Sequence, residues 1–144
     1  MSAEFEPEFI DSNILIYAHD VSAGAKHTAA KELVQRLWET GSGCLSVQVL
    51  QEFYEIITRK VANPIPADMA AEIIRDLRYW HICTPTIDDV LGAIDLQHRY
   101  HTSFWDAMVI QTAACMDCRV LWSEDLANDQ VYGGVQVKNP FIMS

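Results

Sequence analysis

Positive charge is what this 144-residue chain has least of: 10 Lys plus Arg stand against 20 Asp plus Glu, a formal net charge of −10. Proteins that hold a polyanion by charge alone use basic patches that release its counterions, and so acidic a chain is excluded from that class. Any contact with nucleic acid must be local or carried by a bound cation. Long hydrophobic runs are missing too. The run nearest the N-terminus, Ile14 to Ala18, is far shorter than the roughly 18 residues of a membrane span, and no basic segment precedes it. The sequence therefore predicts neither span nor signal peptide, and a soluble, cytoplasmic protein without membrane partners is expected. Cysteine is sparse, with 4 residues, and without an export signal these are expected to be reduced and buried rather than bridged. Cys115-Met116-Asp117-Cys118 is at most half of a tetrahedral zinc site. Cys44 and Cys83 stand apart, and His19, His27, His81, His98 and His101 are dispersed, so ordinary helix-end packing is favoured over zinc or redox chemistry. No repeat, linker or low-complexity segment is present.

What the chain does have is apolar material. Half of its residues are hydrophobic and 21% are charged, enough for a single domain over residues 1–144 with a sizeable core. Phe9-Ile10 followed by Asp11-Ser12-Asn13 is a strand end running into a helix cap. Ala30, Leu33, Val34, Leu37 and Trp38 repeat at helical spacing between about Ala25 and Thr40, and Gly41-Ser42-Gly43 ends that helix. Cys44-Leu45-Ser46 reads as a short buried strand. Ser46 caps a helix to about Lys60, with Leu50, Phe53, Ile57 and Val61 on one face and Glu52, Glu55 and Arg59 on another. After the break at Asn63-Pro64-Ile65-Pro66, a helix from Ala67 to Tyr79 is expected to pack through Met69, Ile73, Ile74 and Leu77. His81-Ile82-Cys83 is the next strand. Thr86 and Asp89 form a capping box for a helix carrying Val90, Leu91, Ile94 and Leu96. Ser103 precedes a helix that is apolar nearly all round and therefore central. Arg119 to Trp122 is the last core strand, followed by a polar loop from Ser123 to Gln130 and a Gly133-Gly134 turn into an edge strand at Val135-Gln136-Val137. Strands alternating with helices imply parallel strands and right-handed crossovers: an α/β fold, a three-layer α/β/α sandwich around a mainly parallel sheet.

Against this background four acids stand alone beside apolar residues: Asp11 after Phe9-Ile10, Glu52 before Phe53, Asp106 after Phe104-Trp105, and Asp125 after Leu121-Trp122-Ser123-Glu124. A lone buried carboxylate costs several kcal/mol unless it is protonated, hydrogen-bonded or neutralised. Each has an ordinary reading by itself. Asp11 caps a helix, Asp106 is the first-turn acid after Ser103, Asp125 lies in a loop, and Glu52 sits on a polar helix face. Together, two at strand ends and two on helices can converge at the carboxyl edge of the sheet, where such folds bind ligands. Unit charges ~4 Å apart repel by roughly 4 kcal/mol at an effective dielectric of ~20, so a shared pocket asks for a cation. Oxygen-only ligands suit Mg2+ or Mn2+, whose activation of water serves phosphodiester chemistry. An acidic pocket filled with cations also accepts a polyanion that the bare protein repels.

The segments carrying these acids resemble the PIN-domain ribonucleases, and specifically the VapC-type toxins of bacterial and archaeal toxin–antitoxin pairs, over nearly the whole chain. The likeness rests on Phe9 to Tyr17, Ser46 to Phe53, Ser103 to Met108, Leu121 to Leu126, and the ending at Gly134-Val135 and Asn139-Pro140-Phe141. It implies endonucleolytic cleavage of RNA dependent on Mg2+ or Mn2+ by Asp11, Glu52, Asp106 and Asp125. Asp11 and Asp106 would be the main ligands, with Asn13 and Ser123 as polar residues behind them. Ser12 and Ser123 stand where Thr is common, and either hydroxyl can make the same bond. Glu124 and Asp129 are near enough to Asp125 in sequence to share or replace its role. A homodimer and a small inhibiting antitoxin are implied as partners beside the RNA substrate.

Two other classes compete: a PIN-fold binding or regulatory module that does not cut, and a phospho-receiver or aspartyl-phosphate phosphatase. The phosphatase needs an acid where Asn13 stands, and a receiver needs an acceptor Asp that His81-Ile82-Cys83-Thr84 lacks. Among residues that could touch RNA, Arg59-Lys60 reads as a helix-dipole complement, Arg75 with Arg78 as a solvated face, and Tyr79-Trp80 as a buried aromatic pair.

Overall fold

In the computed structural model, which describes residues 6–142, the chain opens with a three-residue strand, β1 (Glu8–Ile10), whose Phe9 and Ile10 are wholly buried. Asp11 then caps α1 (Ser12–His19) by accepting the Ser12 N–H, and α2 (Ala25–Thr40) follows, stopped at Gly41 in the left-handed conformation. Next come β2 (Gly43–Ser46), α3 (Val47–Arg59) capped by the Ser46 hydroxyl, and α4 (Ala67–Leu77). Strand β3 (His81–Cys83) leads to α5 (Ile87–Tyr100), opened by the Thr86–Asp89 capping box. Helix α6 (Phe104–Cys115) is capped by Ser103 and precedes β4 (Val120–Trp122), β5 (Val131–Tyr132) and β6 (Val135–Lys138).

These six strands form one sheet in the order β3-β2-β1-β4-β6-β5, parallel throughout except for the β5–β6 hairpin. From β1 the chain winds outward through β2 to β3, then returns to the other side of β1 to lay down β4. Right-handed crossovers in opposite directions place their helices on opposite faces. Accordingly α1 to α4 pack on one another and α5 packs with α6, which gives the expected three layers. The reversal also creates a topological switch point between β1 and β4, the place where an open α/β sheet forms its crevice.

Several expectations are corrected. Val135 to Lys138 is not an edge strand: β6 pairs with β4 on one side and β5 on the other. Gly133 and Gly134, at φ 55° and 89°, make the two-residue hairpin turn that folds Val131–Tyr132 back as the true edge. Met69 points outward at 51% exposure, so α4 packs through Ala70 and Leu77 with Ile73 and Ile74 at its margin. Trp80 is buried but Tyr79 is exposed, which splits the anticipated pair. On α5 the apolar residues Val90, Leu91 and Ile94 lie outward, and the inner contact is made by Ala93 and Leu96. All four cysteines are free; Cys44 and Cys118 are buried as expected, whereas Cys115 is exposed and Cys83 half-buried. Among the described residues no helix is long and apolar enough to cross a membrane.

Trp80 also explains why β2 begins with glycine. A Cβ on Gly43 would lie 2.4 Å from the indole, which is only 7% exposed and packed edge-on against Trp38 at 5.5 Å. Gly43→Ala is therefore expected to cost about 1–3 kcal/mol through overpacking, seen as a lower urea midpoint with unchanged slope.

Candidate active site

Both central strands end in acid-bearing turns. The Asp11 N–H donates to the Trp122 carbonyl at 2.9 Å, which extends the β1–β4 ladder by one residue and delivers Asp11 to the carboxyl edge. On the neighbouring strand the Ser123 N–H donates to the Lys138 carbonyl at 3.0 Å, holding the start of the 123–125 turn beside it. The two turns are then stitched together. Ser123 Oγ donates to Asp11 Oδ2 at 2.9 Å, and the Asp125 N–H donates to Ser123 Oγ at 3.2 Å. Asn13 Nδ2 donates to Asp125 Oδ2 at 3.0 Å and to Asp11 Oδ2 at 3.4 Å, while its Oδ1 accepts the Glu124 N–H at 3.3 Å. One amide thus bridges the Asp11 and Asp125 carboxylates, and the Ser123 hydroxyl links the same two turns.

The other two acids arrive on helices. Glu52 lies in α3 and accepts from Gln48 Nε2, one turn earlier, at 3.0 Å. Asp106 lies in the first turn of α6, where its N–H donates to Ser103 Oγ at 3.1 Å. Electrostatics locates both relative to the strand-end pair. Burial pushes the Asp11 carboxyl up to about 7, opposed by the Ser123 and Ser12 hydrogen bonds and reinforced by the charges of Glu52 and Asp125. Burial likewise raises Asp106, against the Ser103 hydrogen bond and with the charge of Asp125. Asp11 therefore feels Glu52 and Asp125, and Asp106 feels Asp125. The four acids share one electrostatic neighbourhood at the switch point.

The two alternatives for the fourth acid make other contacts. Glu124 turns the other way: Lys26 Nζ donates to its Oε1 at 2.9 Å and Tyr17 Oη at 3.2 Å, with Lys26 also over the Tyr17 and Phe141 rings. Asp129 sits in a left-handed turn at the base of the β5–β6 hairpin, exposed, and accepts from Asn128 Nδ2. Asp125, held by Asn13, is the one placed with Asp11 and Asp106. Gln48 was missed from sequence, although its spacing of four residues before Glu52 is the signal for a same-face helical pair.

Among the described residues, none of the ion pairs involves Asp11, Glu52, Asp106 or Asp125. Nor do any three Asp, Glu, His or Cys side chains enclose a ready-made metal cage. The donor set nevertheless fits a hard cation. It is oxygen-only, its members repel one another without a basic counter-charge, and Mg2+ needs only one or two carboxylates because it retains several waters. A cavity of about 1070 Å3 lies elsewhere and is lined by none of the four acids; Glu8, Arg119, Trp122 and Lys138 are among its lining. The strand-end acids lie at the carboxyl edge of the sheet, beside the switch point between β1 and β4.

With that geometry in hand, the comparisons are direct. Residues 9–133 match the PIN domain family. A toxin–antitoxin complex from Klebsiella pneumoniae superimposes with a TM-score of 0.70 at 18% identity, covering 94% of this chain and 99% of that one. The Mycobacterium tuberculosis toxin VapC20, described as cleaving the sarcin–ricin loop, gives 0.62 at 22% identity, covering 81% and 90%. DNA-bound VapBC from Salmonella typhimurium gives 0.67 at 11% identity, covering 94% and 98%. At these identities the likeness is one of fold. The search of curated protein sequences produced no match.

Proposed function

Since the chain belongs to the PIN domain family, we propose that the acidic crevice between β1 and β4 is the active site of a Mg2+- or Mn2+-dependent endoribonuclease, the toxin member of a toxin–antitoxin pair. The observation that carries this reading is the Asp11 carboxyl. It is 4% exposed, raised to about 7 by burial and by Glu52 and Asp125, and among the described residues no ion pair engages it. A fold tolerates so uncompensated a charge where a cation completes it.

Asp11 and Asp106 would hold the ion, with Asp125 and Glu52 completing the acidic wall. Asn13 and Ser123 fix the rotamers of Asp11 and Asp125, so that both carboxylates are oriented before any ligand arrives. Gln48 does the same for Glu52. When bound, the ion supplies Lewis acidity toward phosphate oxygens and acidifies water for attack near neutral pH. The overall charge of −10 then acts as a filter, since the polyanion approaches only the cation-loaded edge. The similar solved structures support a nucleic-acid-cleaving toxin with an antitoxin partner, because one is described as a sarcin–ricin-loop-cleaving toxin and another as a toxin–antitoxin complex; RNA as the substrate is this reading's own step. The homodimer belongs to the same reading through the family resemblance.

Incubating purified, partner-free protein with total RNA and Mg2+ or Mn2+ tests the proposal. Discrete cleavage that chelation stops and Asp106→Asn loses is expected; no cleavage above that variant would favour a non-cleaving PIN-fold module. The fourth acid is tested alongside. Asp125→Asn should lower kcat/KM by about tenfold to a hundredfold, as loss of a group orienting a metal site does. Glu124→Gln should leave it within about threefold and change the urea midpoint little, since an ion pair to an exposed Lys26 contributes little to stability.

A further inference from the structure

Cations that could grip a nucleic-acid strand are outnumbered two to one by acids, 10 Lys plus Arg against 20 Asp plus Glu, and four of them, Lys26, Arg36, Arg59 and Arg75, are paired with Glu124, Glu8, Glu55 and Glu72. A substrate strand therefore gains from a contact that does not depend on phosphate charge. Beside Asp106 in α6 stands a side chain suited to that task. Trp105 is 64% exposed, a large apolar surface left in water immediately before Asp106.

Its exposure follows from where the helix begins. Trp105, Val109 and Thr112 lie on one stripe of α6, at spacings of four and three residues. Val109 and Thr112 are 3% and 1% exposed, since α6 packs against β2, β4 and β6. One turn earlier the same stripe has left the sheet, and Trp105 is exposed where Val109 and Thr112 are buried. Asp106 occupies the adjacent stripe with buried Ile110 and Ala113 and senses Asp125 across the edge. The indole is buttressed rather than loose: Phe104, packed with Leu96 against Ala93, Ala107 and Met108, meets it edge-on at 5.1 Å.

We propose that Trp105 is the base-stacking platform of the acidic crevice, holding an unpaired nucleobase of the RNA strand beside the acids and so helping to choose which bond is presented to them. The inference rests on the nuclease reading for the identity of the strand. Aromatic stacking is sequence-tolerant, works without positive charge, and suits single-stranded rather than duplex RNA, whose bases are already stacked.

The test combines kinetics with fluorescence. Trp105→Ala should raise KM for a single-stranded RNA by about tenfold with kcat within about twofold, and Trp105→Phe should restore most of the loss. Short single-stranded oligoadenylate, with Ca2+ in place of Mg2+, should quench emission of the parent protein; Trp105→Phe, which retains Trp38, Trp80 and Trp122, should lose that quench, and an abasic ribose-phosphate strand should not produce it. Unchanged KM in Trp105→Ala together with an unchanged quench in Trp105→Phe overturns the proposal. The same result with a smaller mass in solution for Trp105→Ala would make the indole a protein-contact residue instead. If the parent cuts no RNA while oligoadenylate still quenches Trp105, the nuclease reading falls and the stacking site stands.

Discussion

Asp11→Asn is expected to lower kcat/KM for RNA cleavage by about a thousandfold or more while leaving the chain folded and, at pH 8, no less stable than the parent. The loss follows from removing a ligand charge whose worth at the metal is several kcal/mol, and ~4 kcal/mol corresponds to about a thousandfold in rate. The retained stability follows from the site itself. Asn is as good a helix cap as Asp, and its Oδ1 can keep the Ser12 N–H that Asp11 Oδ1 accepts at 2.7 Å. The Ser123 hydroxyl, which donates to Asp11 Oδ2 at 2.9 Å, can reverse and accept from the new amide. What the substitution removes is a buried negative charge facing Glu52 and Asp125. Loss of activity through unfolding would instead lower the urea midpoint, so paired cleavage and denaturation curves separate the two causes.

The second large effect is a pH dependence of stability with an unusual sign. Folding raises the Asp11 carboxyl from 3.8 to about 7, so the native state binds this proton more tightly than the unfolded chain. Below about pH 4 both states are protonated and Asp11 imposes no penalty. Between about pH 4 and pH 7 the unfolded chain is ionised while the native one is protonated, and native stability falls by about 1.4 kcal/mol per pH unit, in all about 4 kcal/mol. Above about pH 7 the penalty is constant. Asp106 shifts in the same direction and adds to the trend. Other groups titrate as well, so the quantity to follow is the unfolding free energy of Asp11→Asn minus that of the parent, measured in urea and chelator from pH 5 to pH 8. It should climb from pH 5 to about pH 7 and level off above that. Mn2+ at pH 8 should stabilise the parent, because the ion binds the native site and not the unfolded chain, and should do little for Asp11→Asn. A flat difference across that range would mean that Asp11 is not an uncompensated charge.

The parts of this molecule legible in its sequence were those set by local signals. Asp11, Ser46, Thr86 and Ser103 each cap the helix that their sequence context announces, because a cap depends on only a few neighbouring residues. The placement of Asp11 and Asp125 at the carboxyl edge followed from strands ending just before them. The β5–β6 hairpin is not legible because Val131–Tyr132 is two residues long, too short for alternation to register, so the sequence pattern puts Val135-Gln136-Val137 at the edge that β5 occupies. The outward face of α5 escaped because apolar spacing marks a stripe without saying which stripe meets the neighbour; tight α5–α6 packing at Gly92 and Ala93 selected the small-residue side. Glu124 could not be separated from Asp125 either. Its pairing with Lys26, 98 positions earlier, is a contact that only the folded chain creates.

Manganese binding followed by electron paramagnetic resonance reaches the central claim most directly, since the signal of free Mn2+ falls as the ion is captured. At pH 7.5 the parent should take up Mn2+ saturably, Asp11→Asn and Asp106→Asn should each weaken that uptake by about tenfold or more, and Glu124→Gln should match the parent. Uptake left unchanged in both Asp11→Asn and Asp106→Asn would show that these carboxylates do not form one metal site, and would contradict the account.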